Sequence, residues 1–331
     1  MARLILTFGY AIAEPFMRTG VADCVIEFRS HFVWGKLKSS ERLKTLLSQR
    51  PAKRVFEHWT EGLEGWSLAD IETRGLGLTE FCESFDAIEL CANPEPDTQL
   101  QLIWLLDHLR PHVNITSRLS LVQSDTRIGE NRAEDWIALR PRTVPIHADH
   151  LALATVAWAA WRAPTPVGWF DLLSQDVSPL PQLRNTIIAL LEELPNRTTG
   201  LGATEMRMLE LLAAGYTHPY DLLLRPDRVN ERTTYDLWAM GALLDGLARC
   251  AKPAVSGLTE GPFDGAMHGS NERLTRYENS TLSLTDLGKA ILAGVDDFSE
   301  HNPIHRWWGG TELSNDNLRR WDPEDRRLIA P

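Results

Sequence analysis

The sequence predicts an α/β protein with a mostly parallel N-terminal sheet covered by helices on both faces, a helical connector and a winged-helix-like C-terminal domain. Three observations support this prediction. Strand-like and helix-like segments alternate over residues 1–162, which is typical of a parallel sheet with crossover helices. The segment Ala163-Pro-Thr-Pro166 interrupts that alternation. Residues 201–331 contain three helical segments, an alternating strand and another helix, so we place the domains at 1–162, 163–200 and 201–331.

The first elements are marked by short apolar runs and by the residues that end them. Gly9 follows the first run and fits the tight turn between a strand and a helix. Gly20 is placed to end the first helix, and Ser39 or Ser40 is placed to cap the second. We therefore expect strands at Leu4–Phe8 and Val25–Phe28, and helices at Ala11–Arg18 and Ser39–Ser48.

The remainder of the N-terminal domain continues the same alternation. We expect Val55–Phe85 to be mostly helical, with an interruption around Gly75 and Gly77. Segments with β-type alternation and one amphipathic segment follow. They predict strands at Ala87–Cys91, Val113–Val122 and Thr143–Ile146, and a helix at Asp149–Arg162.

The stretch CANPEPDTQLQLIWLLDHL (91–109) joins a strand to an apolar helix, with Glu95 and Asp97 at the junction. Thr98 and Gln101 fit a Thr-x-x-Gln capping box at the helix start. Both carboxylates then lie near the positive end of the helix dipole, which accounts for them without catalysis. The alternative is that they line a pocket at the carboxyl end of the strand, beside the Gly9 turn.

The rest of the chain is predicted to be largely helical. The turn-rich segment 195–200 separates the connector from the C-terminal domain. Apolar residues recur at helical spacing on both sides of it, and one segment alternates like a strand. We expect helices at Trp169–Leu173, Leu180–Glu193, Ala203–Ala214, His218–Leu224, Thr233–Cys250 and Thr285–Ala293, and a strand at Asn279–Leu284.

The net charge of −11 is spread over the whole chain. Residues up to Asn196 hold 19 Lys and Arg against 25 Asp and Glu, and the remainder holds 15 against 20. Proteins that depend on phosphate contacts normally carry a basic patch, so nucleic-acid binding is not favoured. The third helix of the C-terminal domain begins with Asn230, Arg232 and Thr233, which suit base reading, but Asp236 and Asp245 add negative charge. Protein docking or self-association is the preferred role for this domain.

Several classes of site and location are disfavoured by the motifs. The Gly9 turn is not G-x-G-x-x-G and has no P-loop lysine, so we expect no nucleotide cofactor. The four cysteines form no C-x-x-C pair, and prolines interrupt two of the three close histidine pairs, so we expect no metal site. No G-x-S-x-G elbow is present. Without a long apolar segment or secretory leader, a reduced, cytoplasmic location and no membrane contact are expected.

Adjacent tryptophans in HRWWGG (305–310) give two readings. Trp307 and Trp308 are candidates for a partner-binding anchor, because exposed aromatic residues often anchor interfaces. The favoured alternative is that they close the apolar edge of the C-terminal domain, since adjacent aromatics seldom both stay exposed.

Short stretches along nearly the whole chain resemble an uncharacterised bacterial family, domain of unknown function 1835. These stretches are LTFGYAIA (6–13), HFVWGKL (31–37), DTQLQLIWLLDHL (97–109), RTVPIHADHLALATVAWAAWR (142–162), LSLTDLGKAILAG (282–294) and IHRWWGG (304–310). The resemblance implies the same architecture, and the family has no established reaction. This chain also departs from the family pattern. Tyr10 stands where an aspartate is common, and Asn93-Pro94-Glu95 stands where Glu-His-Asp is common.

The loops that carry this resemblance supply the ligand-binding candidates at the carboxyl ends of the strands. Three functions are open. The first is a regulatory or binding protein with a ligand-binding α/β domain and a docking domain. The second is a hydrolase or transferase for a phosphorylated or nucleotide-like compound, in which Glu95 or Asp97 is the general base and Gln99 positions the substrate. The third is a scaffold or self-associating protein that uses Trp-rich surfaces. The ligand-binding candidates are Gly9, Tyr10, His31, Gly35, Glu95, Asp97 and Gln99.

Overall fold

The computed structural model of the chain describes residues 2–8, 16–17, 20–123, 143–224 and 234–331. The chain divides into two compact units. The first unit contains 1–32, 36–163 and 171–186, and the second contains 33–35, 164–170 and 187–331. Residues 163–200, expected to form a connector, are divided between the two. Within the described ranges, no helix combines the length and the apolar character needed to cross a membrane.

The first unit contains a six-stranded, mostly parallel sheet, as the sequence predicts. Its strands are β1 (Arg3–Phe8), β2 (Cys24–Phe28), β3 (Leu63–Glu64), β4 (Ala87–Ala92), β5 (Leu119–Gln123) and β6 (Val144–Pro145). Their order is β3-β2-β1-β4-β5-β6. The four central strands pair in parallel, and both edge strands are antiparallel to their neighbours. Pro145 suits an edge strand because it has no backbone N–H to donate.

Helices connect these strands and cover the sheet. They are α1 (Ser40–Leu47), α2 (Leu68–Arg74), α3 (Leu78–Cys82), α4 (Pro96–Leu109), α5 (Val113–Thr116) and α6 (Ala148–Trp161). Ser39 caps α1 as predicted, because its hydroxyl accepts the Arg42 N–H at 3.2 Å. On one face of the sheet, the Trp104 ring of α4 packs edge-on against Phe28 of β2, with ring centroids 6.2 Å apart.

Three expectations for this unit were wrong in detail. The segment 55–85 is interrupted by the 3₁₀ turn Trp59–Gly62 and by β3, which pairs with β2. The segment 113–122 begins as α5 and becomes β5 only at Leu119. The capping box at Thr98 does not form, because α4 begins at Pro96 and its N-cap is Glu95.

The rest of the chain is mainly helical. The helices are α7 (Val167–Asp171), α8 (Leu183–Glu192), α9 (Ala203–Ala213), α10 (Pro219–Leu224), α11 (Leu237–Ala248), α12 (Gly265–His268), α13 (Asn271–Glu278), α14 (Asp286–Leu292) and α15 (Phe298–His301). In the second unit, α9 packs against α10, α11 and α14. This packing buries the apolar faces that the 3.6-residue periodicity indicates.

Three short antiparallel strand pairs complete the described part of the second unit. The strands are β7 (Val255–Ser256), β8 (Ser283–Leu284), β9 (His305–Trp308), β10 (Thr311–Ser314), β11 (Arg320–Asp322) and β12 (Arg327–Ile329). The pairs are β7 with β8, β9 with β10, and β11 with β12. The Leu282 N–H, just before β8, also donates to the carbonyl of Thr217, which lies between α9 and α10.

Candidate functional site

The strand order places a topological switch point beside β1. The chain runs from β1 to β2 on one side, and β4 then pairs with β1 on the other side. In open α/β sheets, ligands bind outside the carboxyl ends of the strands at such a point. Residues 29–32 follow β2 there, and residues 93–95 follow β4. Two candidates in the loop after β1, Gly9 and Tyr10, lie outside the described residues.

Two of the predicted site residues, His31 and Asp97, are in contact. In the first turn of α4, Asp97 Oδ1 accepts the Phe32 N–H at 2.6 Å, and its Oδ2 lies 3.2 Å from His31 Nδ1. Gln101, one turn along the helix, donates from Nε2 to the same Oδ2 at 3.2 Å. Asp97 therefore ties the loop after β2 to the start of α4. Its carboxylate also adds negative charge in the first turn of the helix, where the helix dipole favours it.

The contact with Asp97 fixes the orientation of the His31 ring. A carboxylate only accepts hydrogen bonds, so His31 Nδ1–H is the donor, and the lone pair of the neutral ring is then on Nε2. The His31 side chain is 35% exposed, so the ring is open to solvent. A histidine oriented in this way by a carboxylate is suited to act as a general base or as a hydrogen-bond acceptor for a ligand.

Gln99 is part of the framework beneath the site. Its Nε2 donates to the Asn93 carbonyl at 2.6 Å, and its Oε1 accepts from Gln123 Nε2 at 2.9 Å. The side chain is buried. The two ends of its amide hold the loop after β4 against the end of β5. The sequence had suggested a different role for Gln99, the positioning of a substrate.

The remaining ligand-binding candidates occupy turns. Glu95 is the N-cap residue of α4 with φ −61° and ψ 140°. Gly35 has φ +74°, a left-handed conformation that favours glycine. It belongs to the second compact unit, where its neighbour Trp34 packs against Tyr235 with ring centroids 5.6 Å apart. The compact unit that contains His31 and Asp97 therefore does not contain Gly35.

The sequence reading missed two polar residues in the strands themselves. Thr7 of β1 and Glu27 of β2 are register partners, so their side chains leave the same face of the sheet. Both residues are buried. Thr7 Oγ1 and Glu27 Oε1 have no hydrogen-bond partner within the described ranges. A threonine in RLILTF and a glutamate in CVIEF, each one residue before the strand ends, were the available signal.

The other oxygen of Glu27 forms an ion pair. Arg29 Nε and Nη2 donate to Glu27 Oε2 at 3.2 and 3.0 Å. The Arg29 guanidinium also lies 5.8 Å from the Phe56 ring centroid, within cation–π range. Arg29 therefore neutralises Glu27 and is itself held in place, while Glu27 Oε1 is not used by this pair.

The partner-binding candidates of the second unit have different environments. Trp308 is buried, and its indole N–H donates to the Leu190 carbonyl at 2.7 Å. Trp307 is half-buried on the same strand, β9. Trp308 therefore belongs to the core, as in the favoured reading of HRWWGG, and offers no surface anchor. Asn230 and Arg232 lie outside the described residues.

One stripe of α11 is covered by the segment between β7 and β8. Trp238, Gly241 and Asp245 recur at helical spacing along this stripe. The Phe263 ring lies 5.6 Å from the Trp238 ring, and a Cβ on Gly241 would come within 2.2 Å of Phe263 Cδ1. The Phe263 N–H donates to Asp245 Oδ2 at 2.6 Å. Phe263 therefore covers this stripe at Gly241, while Trp238 remains 46% exposed.

A buried group of ionisable side chains lies in the second unit. Arg306 Nη1 donates to Glu205 Oε2 at 2.9 Å, and the Arg306 side chain is largely buried. Glu193 accepts the Thr204 hydroxyl at 2.5 Å and the Thr204 N–H at 3.2 Å. Burial raises the pKa of Glu193 to about 7, against the opposing effect of the Thr204 hydrogen bonds. Burial also raises the pKa of Tyr235, which adjoins this group, well above its ordinary value.

No family model matches the chain, and no curated protein matches it at a significant level. Over the described part of the chain, no three His, Cys, Asp or Glu side chains converge as metal ligands. The candidate site therefore stands on its geometry: an oriented histidine, a framework of buried amides and two buried polar residues at the switch point of a parallel sheet.

Proposed function

We propose that this chain is a two-domain regulatory or binding protein. Its α/β unit binds a small ligand at the carboxyl edge of the parallel sheet, and its C-terminal unit docks to a protein partner. The observation that carries the proposal is the pair of buried oxygens on Thr7 and Glu27, unpartnered within the described ranges, at the switch point of the sheet. Each buried polar group that is left without a hydrogen bond destabilises the protein by about 1–3 kcal/mol. A ligand that forms these hydrogen bonds would recover that free energy.

The order of elements supports a winged-helix-like second unit. Three helices, α9 to α11, are followed by the paired strands β7 and β8. The hydrogen bond from Leu282 to Thr217 brings the connection between the first two helices beside β8. That arrangement resembles the small three-stranded sheet of a winged helix. In this proposal, residues 257–282 replace the wing and fold back over α11.

Coverage of α11 favours protein docking over DNA reading. Major-groove readers present polar side chains from an exposed helix face. Here Phe263 fills the stripe at Gly241, and the N-cap of the helix is the acidic residue Asp236. The negative charge of the chain points in the same direction. We also propose a cytoplasmic location and membership of the 1835 family, on the sequence arguments alone.

Ligand binding is tested with the full chain in a thermal-shift screen of small metabolites. We expect at least one compound to raise the melting temperature of the wild type and to lose its effect in His31→Ala with Asp97→Asn. A screen in which no compound stabilises the protein would contradict the ligand-binding role.

Docking is tested separately, with the same protein as bait and in mobility-shift assays with genomic fragments over a salt series. We expect a protein partner to be retained and DNA to be released at low salt. Failure to retain a protein partner, or DNA binding that persists at moderate salt, would contradict the docking role.

The contact between His31 and Asp97 favours a second candidate function, a hydrolase or transferase. In this alternative, His31 is the general base and Asp97 orients it, whereas the sequence had pointed to Glu95 or Asp97 as the base. The test is turnover of p-nitrophenyl acetate and p-nitrophenyl phosphate by wild type and His31→Gln. Turnover that falls at least about 100-fold in the variant supports the enzyme, and equal turnover removes this role.

A further inference from the structure

We infer that Glu27 and Thr7 form a subsite for the hydroxyl groups of a neutral, polyhydroxylated ligand such as a sugar or a nucleoside. This inference rests on the proposed ligand-binding role and adds the chemical class of the ligand. It also differs from the phosphorylated compound that the enzyme alternative expects.

The two side chains are neighbours by strand register. Thr7 pairs with Glu27 on one side and with Cys91 on the other, and parallel strands lie about 4.8 Å apart. In the row directly beneath them on this face, Ile5 and Val25 are apolar, and β4 contributes the buried Glu89, whose Oε1 lies 3.7 Å from Arg3 Nε. Thr7 and Glu27 thus lie next to an apolar pair, one residue before the carboxyl ends of β1 and β2.

Two more oxygens at the same edge of the sheet are acceptors. Oε1 of Gln101, beside Asp97, and Oε1 of Gln123, at the end of β5, are both buried. Across the described residues, neither of these oxygens has a hydrogen-bond partner. The register pairs Gln123 with Ala92, so it lies on the opposite face of the sheet from Thr7, Glu27 and Cys91. The subsite is therefore formed by Glu27 Oε1 and the Thr7 hydroxyl, which are complementary to a ligand that brings O–H donors.

The charges at this edge select a neutral ligand. Arg29 already neutralises the charge of Glu27. Glu27 Oε1 can therefore accept a hydrogen bond from a ligand hydroxyl, and the ligand need not carry a positive charge. Arg29 is committed to that pair, and the Asp97 carboxylate adds negative charge in the first turn of α4. A phosphate group at this edge would meet carboxylates whose positive partners are already engaged. A hydroxyl-rich, uncharged group avoids that repulsion.

The test compares neutral compounds with their phosphates on the full chain. The probes are ribose, glucose, adenosine and uridine, each paired with ribose 5-phosphate, glucose 6-phosphate, AMP or UMP, and binding is measured by thermal shift and titration calorimetry. Thr7→Val removes the hydroxyl and keeps the side-chain shape, and Glu27→Gln removes the charge. Thr116→Val is the control, because Thr116 is a buried threonine of the same unit whose hydroxyl bonds to Val113.

We expect a neutral compound to bind the wild type, with a Kd that rises about tenfold or more in Glu27→Gln, about fivefold in Thr7→Val and not at all in Thr116→Val. Should Glu27→Gln fail to fold, the comparison of Thr7→Val with Thr116→Val still decides. Neutral binding that survives both variants overturns the subsite. Binding of the phosphates alone overturns the hydroxyl class but leaves the ligand-binding role standing. Binding of neither set overturns both.

Discussion

Replacement of Glu193 by glutamine is expected to remove a large part of the pH dependence of stability. Glu193 is 5% exposed and lies beside Glu205, Arg306 and Tyr235. Burial raises the pKa of its carboxyl from 4.5 to about 7, so the folded chain holds a proton that the unfolded chain releases. The stability that this proton contributes is complete below pH 4.5 and is lost as the pH rises through 7.

The size of the effect follows from the pKa difference. Each pKa unit corresponds to about 1.4 kcal/mol, so the wild type should lose about 3 kcal/mol of unfolding free energy between pH 4.5 and 8 through this group. Glu193→Gln should not show this loss. The variant also gives up one of the two hydrogen bonds from Thr204, at a cost of about 1 kcal/mol that does not depend on pH.

The assay is urea denaturation from pH 4.5 to 8, followed by tryptophan fluorescence. Other titrating groups are common to both proteins, so the difference between their stabilities isolates Glu193. Glu210→Gln serves as the control, because Glu210 is half-exposed and pairs with Arg207 on the same helix, α9. Parallel curves for wild type and Glu193→Gln would refute the reasoning, and so would an equal change in Glu210→Gln.

Four further predictions concern packing and capping, each measured by urea denaturation unless another readout is given. Gly62→Ala should lower the free energy of unfolding by at least about 2 kcal/mol, because the alanine Cβ would lie 1.9 Å from the Glu27 carbonyl oxygen. Gly246→Ala, at a helical position with open space around it, should raise the free energy of unfolding by up to about 1 kcal/mol. Ser39→Ala should cost about 1 kcal/mol by uncapping α1, and Ser39→Asp should retain the stability. Asp97→Ala should cost about 1–3 kcal/mol and speed hydrogen exchange at the Phe32 amide, because that N–H loses its acceptor. Phe263→Ala should lower the free energy of unfolding by about 3 kcal/mol and raise the exposure of Trp238, measured by fluorescence quenching. An unchanged quenching rate would contradict the packing of Phe263 against α11.

The parallel sheet was predictable because its strands are nearly continuous apolar runs. RLILTF, CVIEF and AIELCA are buried along most of their length, as parallel strands between two covering layers should be. The helix α1 was predictable for a local reason, the Ser39 cap followed by the acidic first-turn residue Glu41. These features are set by residues close together in the sequence.

Elements fixed by distant contacts were not predictable in the same way. β3 has only two residues, and its strand conformation depends on pairing with β2, about 40 positions earlier. The start of α4 was misplaced because Thr98 and Gln101 match a capping box, while Pro96 already suits the first helical position. The sequence is compatible with two starting points for this helix, and the helix begins at the proline.

The candidate site was predictable in its place but not in its composition. The carboxyl edge near residues 93–99 follows from the order of strands and helices. The contact of His31 with Asp97 joins residues 66 positions apart, and nothing in either local segment indicates it. Glu27 was visible as a charge within an apolar strand, but its relation to Thr7 depends on strand register, which the sequence alone does not fix.

Hydrogen exchange of the full chain, with and without the neutral compounds and their phosphates, tests most directly the claim that the carboxyl edge of the sheet is the binding site. The account predicts that a bound compound slows exchange in peptides covering 26–32, 90–99 and 120–123, and that this protection is reduced in Thr7→Val but kept in Thr116→Val. Protection confined to other parts of the chain, or equal protection in both variants, would contradict the account.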